Sequence, residues 1–185
     1  MKKALLFFAV LFVINGCGYK SQVVPLKAAS LEGKCQVQGK GKKIHLIVKD
    51  ERNSSTLGTR MAGGGGKLKT DGSEMATLES ALKQGFQSCG YELSASSSSE
   101  LDIQLRDLSY SLAVGFWRGR INISAVTKAE IKKSGKVMFE KMVREEREEK
   151  RATVPTSKEN IEDINQVFNN LVYKIVNDLE IANAL

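Results

Sequence analysis

Histidine is almost absent from this chain of 185 residues, in which His45 stands alone. A lone imidazole leaves no second histidine to complete a metal site. The sequence also has no G-x-S-x-G elbow, no H-E-x-x-H helix and no pair of C-x-x-C motifs. Its acidic residues lie in charged runs that we expect to be solvated, so no carboxylate pair can be nominated for acid–base catalysis. We therefore predict that the protein is not an enzyme and binds no metal or cofactor.

The glycine-rich stretch Gly63–Gly66, followed by Lys67, also lacks what a phosphate-binding loop requires. That motif needs a glycine at position 61 and a serine or threonine at position 68, where this chain has Met61 and Leu68. We predict a flexible loop here. Because long mobile loops often become ordered on a partner, residues 58–66 are a secondary candidate surface.

Only one long apolar run is present, from Ala4 to Ile14, and it follows a short basic start. It is too short for a membrane span, which needs about 20 residues, and is typical of a signal-peptide core. Cys17 follows directly after a small residue, Gly16, and this arrangement resembles the lipobox of bacterial lipoproteins. The sequence therefore predicts a lipoprotein signal peptide over residues 1–16 and a covalent N-terminal lipid, including palmitate, on Cys17. Ordinary secretory cleavage is the alternative.

Positive charge is in excess, with a formal net charge of +7 that becomes +5 once Lys2 and Lys3 leave with the signal peptide. A basic exported protein on a membrane can contact anionic lipid headgroups, acidic polymers or acidic protein faces. We expect no nucleic-acid partner in that compartment. The alternative is that the charge only aids solubility.

Cysteine is also scarce, since only Cys35 and Cys89 remain once Cys17 carries lipid. An exported chain matures in an oxidising space, so these two residues can form a disulfide that closes a loop of roughly fifty residues. Cys89 also lies on the apolar stripe of a predicted helix, where a reduced buried thiol is equally natural. The sequence leaves both states open.

Hydrophobic periodicity predicts one folded domain. We assign residues 17–42 to the lipidated cysteine and a flexible tether, and residues 43–185 to a single periplasmic domain. A strand over 43–50, a helix over 74–88, a three-stranded meander with a bulge at Arg106–Asp107 and a last helix over 158–183 give the order β-α-β-β-β-α. We therefore predict an α+β fold with a mainly antiparallel four- to five-stranded sheet and two helices packed on one face.

Two segments of this meander carry unusual side chains. The predicted hairpin tip contains Phe116, Trp117, Arg118 and Arg120, and tryptophan and arginine dominate binding hot spots. These four residues form the candidate interface, with a tryptophan that folds back onto the core as the alternative. The almost wholly charged segment 144–151 either extends the third strand at a sheet edge or turns into a helix, and we expect a solvated face in both cases.

Several short motifs resemble those of the YajG-like bacterial outer-membrane lipoproteins. The similarity begins with Asp50-Glu51-Arg52 and Leu57-Gly58-Thr59-Arg60, which are similar to that family's D-x-R and L-G-x-R segments. It is best over residues 120–131 and includes the entry to the final helix at 157–161. The resemblance implies a lipid-anchored domain in the outer membrane that faces the periplasm, without catalytic residues. Gly18 agrees, because retention at the inner membrane typically goes with aspartate after the lipidated cysteine.

Together these observations favour a lipid-anchored binding or scaffold module. We expect an accessory subunit of an outer-membrane or envelope-spanning, secretion-type assembly, with the membrane and envelope proteins as its partners. The alternative is a carrier or binder of a lipid or acidic envelope ligand, in which the sheet and helices enclose an apolar pocket. A hydrolase acting on cell-wall polymer ranks third.

Replacement of Cys17 tests the predicted lipidation. We expect Cys17→Ala to abolish incorporation of labelled palmitate and to release the protein from the membrane fraction, because no acceptor remains for the lipid. The intact mass of the purified protein measures this directly. Ser21→Ala, which leaves the thiol in place, should keep both the lipid mass and the membrane association. A Cys17→Ala protein that still carries lipid would contradict the prediction.

Overall fold

Eight strands and three helices make up the computed structural model, which describes residues 20–61, 65–115 and 118–185. The elements in chain order are β1 (Gln22–Val24), β2 (Lys43–Asp50), β3 (Thr56–Thr59), β4 (Lys67–Thr70), α1 (Glu74–Ser88), β5 (Glu92–Leu93), β6 (Ser99–Val114), β7 (Gly119–Lys133), β8 (Lys136–Arg151), α2 (Ser157–Val176) and α3 (Leu179–Ala184).

The long strands β6, β7 and β8 form an antiparallel meander with one buried face. Because successive side chains point to opposite faces, the alternating apolar residues of β7 all lie on the side of the core. The register between β6 and β7 shifts between Leu105 and Asp107, which leaves Arg106 as the extra residue. The predicted bulge at this place is confirmed.

The other edge of β6 pairs with two strands in tandem. β2 pairs in parallel with residues 100–105, and β3 pairs in parallel at Tyr110. The break between β2 and β3 lies beside the bulge of β6. Beyond them β4 pairs antiparallel with β3, β1 pairs parallel with β4, and β5 pairs parallel with β2.

The predicted fold class is therefore wrong. The sheet is mixed and has eight strands, and four of its seven strand pairings are parallel. Two physical reasons explain the difference. The chain returns through α1 between β2 and β6, which aligns these two strands in the same direction. In addition, β1, β3, β4 and β5 have only two to four residues, too few to display a strand period.

Both long helices pack against the apolar face and against each other. The bounds of α1 match the predicted 74–88. α2 differs from the prediction at both ends. It begins at Ser157, one residue before the predicted start, and its N-cap is Thr156, which forms a capping box with Glu159. It ends at Val176, and Asp178 caps the separate helix α3 by accepting bonds from the backbone N–H groups of Glu180 and Ile181.

The first described residues are bound to the domain, which differs from the flexible tether predicted for 17–42. Val24, Leu26 and Leu31 are buried in the core. Asn165 accepts a hydrogen bond from the backbone N–H of Lys27 (2.6 Å), and Asn169 accepts one from Ala29 (2.8 Å). Asn165 and Asn169 of α2, with the C-cap residue Asn177, thus clamp the backbone of residues 25–36 along the helix.

A disulfide joins the end of this segment to the end of α1. Cys35 and Cys89 are bonded, with Cα atoms 5.3 Å apart. Of the two states that the sequence left open, disulfide or reduced thiols, the structure has the disulfide. The bond spans a sequence separation of 54 residues. In the loop-entropy account a closure of this length stabilises the folded state by about 4 kcal/mol.

The close approach of β3 to β6 depends on a glycine. Gly58 has φ +154° and a Cβ at this position would lie 1.8 Å from the carbonyl oxygen of Tyr110. We expect Gly58→Ala to lower the free energy of unfolding by about 3 kcal/mol or more, because the strands must separate to admit the methyl group. Urea denaturation of the purified protein measures this change.

Gly33→Ala is the matched control for this substitution. Gly33 also has a positive φ (+70°), but an added Cβ would meet nothing within 4 Å. The control should lose only about 1 kcal/mol, the ordinary cost of the left-handed backbone for alanine. Equal losses at the two positions would show that the close contact between β3 and β6 is not a constraint.

Candidate interaction surface

The predicted hairpin interface is only partly within the described residues. Phe116 and Trp117 lie outside them. Arg118 is exposed, and its carbonyl accepts a hydrogen bond from the backbone N–H of Gly115 at 3.0 Å. Arg120 is exposed at the start of β7, where its Nε lies 3.2 Å from Oε1 of Glu148. This exposed pair is worth little for stability.

The D-x-R motif is a buried ion-pair network. The Arg52 side chain, only 4% exposed, donates to both carboxylate oxygens of Asp50 (2.8 and 2.7 Å) and to Oε1 of Glu74 at the start of α1 (2.6 Å). The hydrogen bond from Arg52 lowers the pKa of Asp50. Burial raises the pKa of Glu74, but bonds from Arg52 and the backbone outweigh it, so its pKa is also lowered. Arg52 therefore attaches the end of β2 to the start of α1.

The L-G-x-R motif shapes the hairpin between β3 and β4. The backbone N–H of Arg60 donates to the carbonyl of Gly66 at 2.8 Å, and that of Met61 donates to Gly65 at 3.2 Å. The Arg60 guanidinium donates to the carbonyl of Lys20 at 3.4 Å. Residues 62–64 of the glycine-rich loop lie outside the described residues. The motif thus brings the β3–β4 hairpin next to the first described residue of the chain.

The charged segment 144–151 extends β8 and does not form a helix. Its odd-numbered side chains face α2, where Arg151 contacts Asp163 (2.8 Å) and Glu159 (2.7 Å). Lys174 of α2 likewise contacts Glu145 at 2.6 Å. The expectation of a solvated face is therefore only half right, because Glu145, Arg147 and Arg151 attach β8 to α2.

Two groups in this network have raised pKa values. Asp163 is buried, and burial raises its pKa despite the nearby charges of Arg151 and Arg147. Burial also raises the pKa of Tyr110 to about 12, with a further contribution from the negative charge of Asp163. The Tyr110 hydroxyl therefore stays protonated at neutral pH.

The opposite face of the sheet carries a ladder of alternating charges. Asp102 is fully buried at its centre and accepts hydrogen bonds from Lys49 (2.6 Å) and Lys132 (3.1 Å). Burial raises the pKa of Asp102, but these bonds outweigh it and the pKa is lowered. Lys132 also contacts Glu100 (3.1 Å), while Lys128 contacts Glu130 at 2.7 Å. Each of these carboxylates has a lysine partner, so the ladder has the character of a structural ion-pair network.

His45 lies at the margin of this ladder, with Nδ1 4.0 Å from Oε2 of Glu100. Within the described ranges, no group of three or more histidine, cysteine or acidic side chains is placed to hold a metal ion. In the same part of the chain, none of the helices combines the length and apolar character needed to cross a bilayer.

Exposed apolar side chains gather at one place. Large hydrophobic residues are exposed at five described positions, and three of them, Val137, Met138 and Met142, lie in the first half of β8. The fourth, Leu179 of α3, lines a groove of about 430 Å³ together with Met142. These four residues are 46% to 66% exposed. We call them the β8 edge surface.

The β8 edge surface lies where the sheet has a free edge. Among the described strands, β8 pairs only with β7, so its other edge has unpaired backbone groups. Every residue of its second half, 144–151, is charged, whereas its first half has three charged residues, Lys136, Glu140 and Lys141. In the sequence, Met138 and Met142 lie between the apolar residues Val137, Phe139 and Val143 of a predicted strand. The missing information was that this strand lies at the edge and that a register shift beside Lys132 leaves Val137 and Met138 both exposed.

Comparison with known proteins identifies the family. Residues 31–185 match a sequence family described as uncharacterized lipoprotein. The chain belongs to this lipoprotein family. This match supports the prediction of a lipoprotein that is anchored to a membrane of the cell envelope. The narrower assignment to the YajG-like lipoproteins is not confirmed. No curated protein matches the sequence.

Solved structures with similar folds have distant sequences. A crystal structure of a Xanthomonas campestris protein has 13% identity and a TM-score of 0.57, covering 88% of this chain and 97% of its own. A minor lipoprotein from Acinetobacter baumannii has 15% identity and a TM-score of 0.47, covering 77% of this chain and 91% of its own. Lipoprotein GNA1162 from Neisseria meningitidis has 10% identity and a TM-score of 0.38, covering 74% and 99%. Such low identities show a likeness of fold alone, and of these three structures only the Xanthomonas protein has a TM-score above 0.5.

The Arg52 network predicts a pH-dependent loss of stability. A carboxyl group whose pKa is lower in the folded than in the unfolded state stabilises the fold above its unfolded pKa, about 4, and this contribution disappears as the pH falls through the folded value. We therefore expect Arg52→Gln to lower the free energy of unfolding by about 3 kcal/mol at neutral pH, because Glu74 stays buried without its cation. The difference from the wild type should shrink at about pH 3, where the carboxyls are protonated.

Urea denaturation at both pH values measures this effect. Arg106→Gln is the control, because Arg106 is more exposed and lies 3.9 Å from Glu51. That substitution should change stability by no more than about 0.5 kcal/mol at either pH. An Arg52→Gln loss of the same size at both pH values would assign the role of Arg52 to packing rather than to charge.

Proposed function

We propose that this protein is a non-catalytic, lipid-anchored module of the bacterial envelope that binds another envelope protein through the β8 edge surface. The lipid on Cys17 would hold it in the outer membrane with the domain in the periplasm. In this role it is an accessory subunit of an outer-membrane or envelope-spanning assembly.

The observation that carries this proposal is the coincidence of exposed apolar side chains with an unpaired strand edge. Val137, Met138 and Met142 lie in the half of β8 that lacks the dense charge of residues 144–151. Charge on an edge strand hinders pairing with another chain, and the lower density of charge in this half leaves the edge more accessible to strand addition or apolar contact. Lys141 and Arg144 line the same groove, where Lys141 contacts Asp178 (2.8 Å) and Arg144 contacts Glu146 (2.9 Å).

The sequence supports the finer points of location. Gly18 after Cys17 favours the outer membrane, as does the resemblance of Asp50-Glu51-Arg52 and Leu57-Gly58-Thr59-Arg60 to YajG-like lipoproteins. Both motifs have structural roles in this fold, at the Arg52 network and at the β3–β4 hairpin. We therefore keep the YajG-like relationship as a proposal about ancestry and do not use it to choose a partner.

A second candidate function is the binding of an anionic amphiphile. A groove of about 580 Å³ runs between residues 27–29 and the first half of α2. Ala28, Ala29 and Ile161 give it an apolar lining, and its charged residues are Lys27, Lys158 and Glu162, of which the last two lie 3.7 Å apart. The enclosed pocket expected between sheet and helices is filled by core side chains such as Phe86 and Phe168. Native mass spectrometry of the purified protein would reveal a bound lipid or glycan, which the protein-binding proposal does not require.

Truncation of the β8 edge surface tests the proposed interface. We expect Met138→Ser combined with Met142→Ser to reduce recovery of crosslinked envelope proteins from solubilised membranes by about tenfold, because buried apolar anchors dominate interface energies. Quantitative mass spectrometry of the crosslinked material measures the loss. The thermal unfolding midpoint should not change, because both side chains are exposed.

Val23→Ser is the matched control, since Val23 is 57% exposed but lies on β1, away from the β8 edge. It should leave the recovered proteins unchanged. Trp117→Ala and Arg118→Ala test the hairpin in the same experiment. If the hairpin variants lose the partners while the β8 variant keeps them, the interface belongs at the hairpin and the β8 edge surface is excluded.

A further inference from the structure

Five parts of the chain meet at one end of the sheet. The hydroxyl of Ser21 accepts a hydrogen bond from the backbone N–H of Lys67, which places the start of β1 at the β3–β4 hairpin. Gly119 pairs with both Val114 and Arg151, which brings the β6–β7 hairpin beside the end of β8. Gln22 donates to the carbonyl of Ser157, which adds the start of α2. We call this the anchor end.

The first described residue therefore leaves the domain at the anchor end. Three peptide units separate Lys20 from Cys17, and an extended chain spans at most about 3.6 Å per residue, so the two Cα atoms lie within about 11 Å. By contrast, β6, β7 and β8 have 15 or 16 residues each and extend for about 50 Å. The link between Cys17 and Lys20 is much shorter than the domain, so the anchor end cannot move far from a lipid on Cys17.

The anchor end presents basic side chains. Lys20, Lys67, Arg118 and Lys150 are exposed there and form no ion pair within the described chain. Exposed lysines also occur at the opposite hairpin, at residues 133 and 136. Charge alone therefore does not select an orientation. The short link between Cys17 and Lys20 selects the orientation, because it brings only the cations of the anchor end to the membrane surface.

We propose that the anchor end lies against the anionic headgroup layer of the membrane, with the long strands directed away from it. This inference rests on the acylation of Cys17 in the proposed function. The cations at residues 20, 67, 118 and 150 would contact lipid phosphates, since basic residues near an anionic surface are attracted to it. The hairpin between β7 and β8, with the neighbouring β8 edge surface, then lies at the far end of the domain.

Lysine footprinting of the full mature lipoprotein tests this orientation without any substitution. The protein is reconstituted into vesicles of phosphatidylcholine with phosphatidylglycerol, into vesicles of phosphatidylcholine alone, and into detergent micelles. Acylation of lysines by a succinimidyl ester is then followed by mass spectrometry of peptides. Lys20, Lys67 and Lys150 report on the anchor end, and Lys133 and Lys136 are internal controls of the same chemistry.

We expect labelling of the three reporter lysines to be about fivefold slower in the anionic vesicles than in detergent, which corresponds to about 1 kcal/mol per basic residue near an anionic surface. The two control lysines should react at the same rate in both. At 1 M salt, where the screening length falls to about 3 Å, most of the difference between anionic and neutral vesicles should disappear.

Equal labelling at both ends, or protection of the control lysines instead, would overturn the proposed orientation. The intact mass of the mature protein is measured first on the same sample. A chain without lipid would refute the acylation of Cys17, and with it both the proposed anchor and this orientation. A lipidated chain without differential protection would refute the orientation alone.

Discussion

Strand β6 is the constraint on which the rest of the structure depends. It hydrogen-bonds to β7 along one edge and to β2 and β3 in tandem along the other. Its bulge lies beside the gap between these two shorter strands, and Gly58 provides the space that the second of them needs. The apolar side chains of β6 then form the centre of the surface on which both long helices pack. Each remaining strand is placed through β2, β3 or β7.

Charged side chains hold together parts of the molecule that a hydrophobic pattern leaves undefined. Arg52 joins β2 to α1, and Arg151 joins β8 to α2. On the open face of the sheet, Lys132 and Lys49 surround the buried carboxylate of Asp102. Many of the charged side chains thus form ion pairs between different strands and helices. The unpaired cations and the exposed apolar residues stand out against this background, which is why they carry the proposals about the membrane and the partner.

The sequence was informative where the hydrophobic period is long. Helix α1, strand β2 and the bulge near Arg106 were predictable because their apolar residues recur over several turns or alternations. The parallel pairings were not, because four of the strands are too short for a period and the pairing direction depends on the path of the chain. The asparagines at 165 and 169 gave no signal either, since their partners are backbone groups about 140 positions away. The β8 edge surface depends on which strand lies at the edge, and only the assembled sheet determines that.

The asparagine clamp on residues 25–36 has a mechanical consequence. A pull on the N-terminus acts along this segment, while the hydrogen bonds from Asn165, Asn169 and Asn177 run across it. These bonds are spread along residues 25–36, so several of them oppose a displacement of the segment along α2. If these hydrogen bonds break, the disulfide between Cys35 and Cys89 still links the segment covalently to the end of α1. A load applied at the N-terminus therefore meets these hydrogen bonds and then the disulfide before the chain beyond Cys35 is displaced.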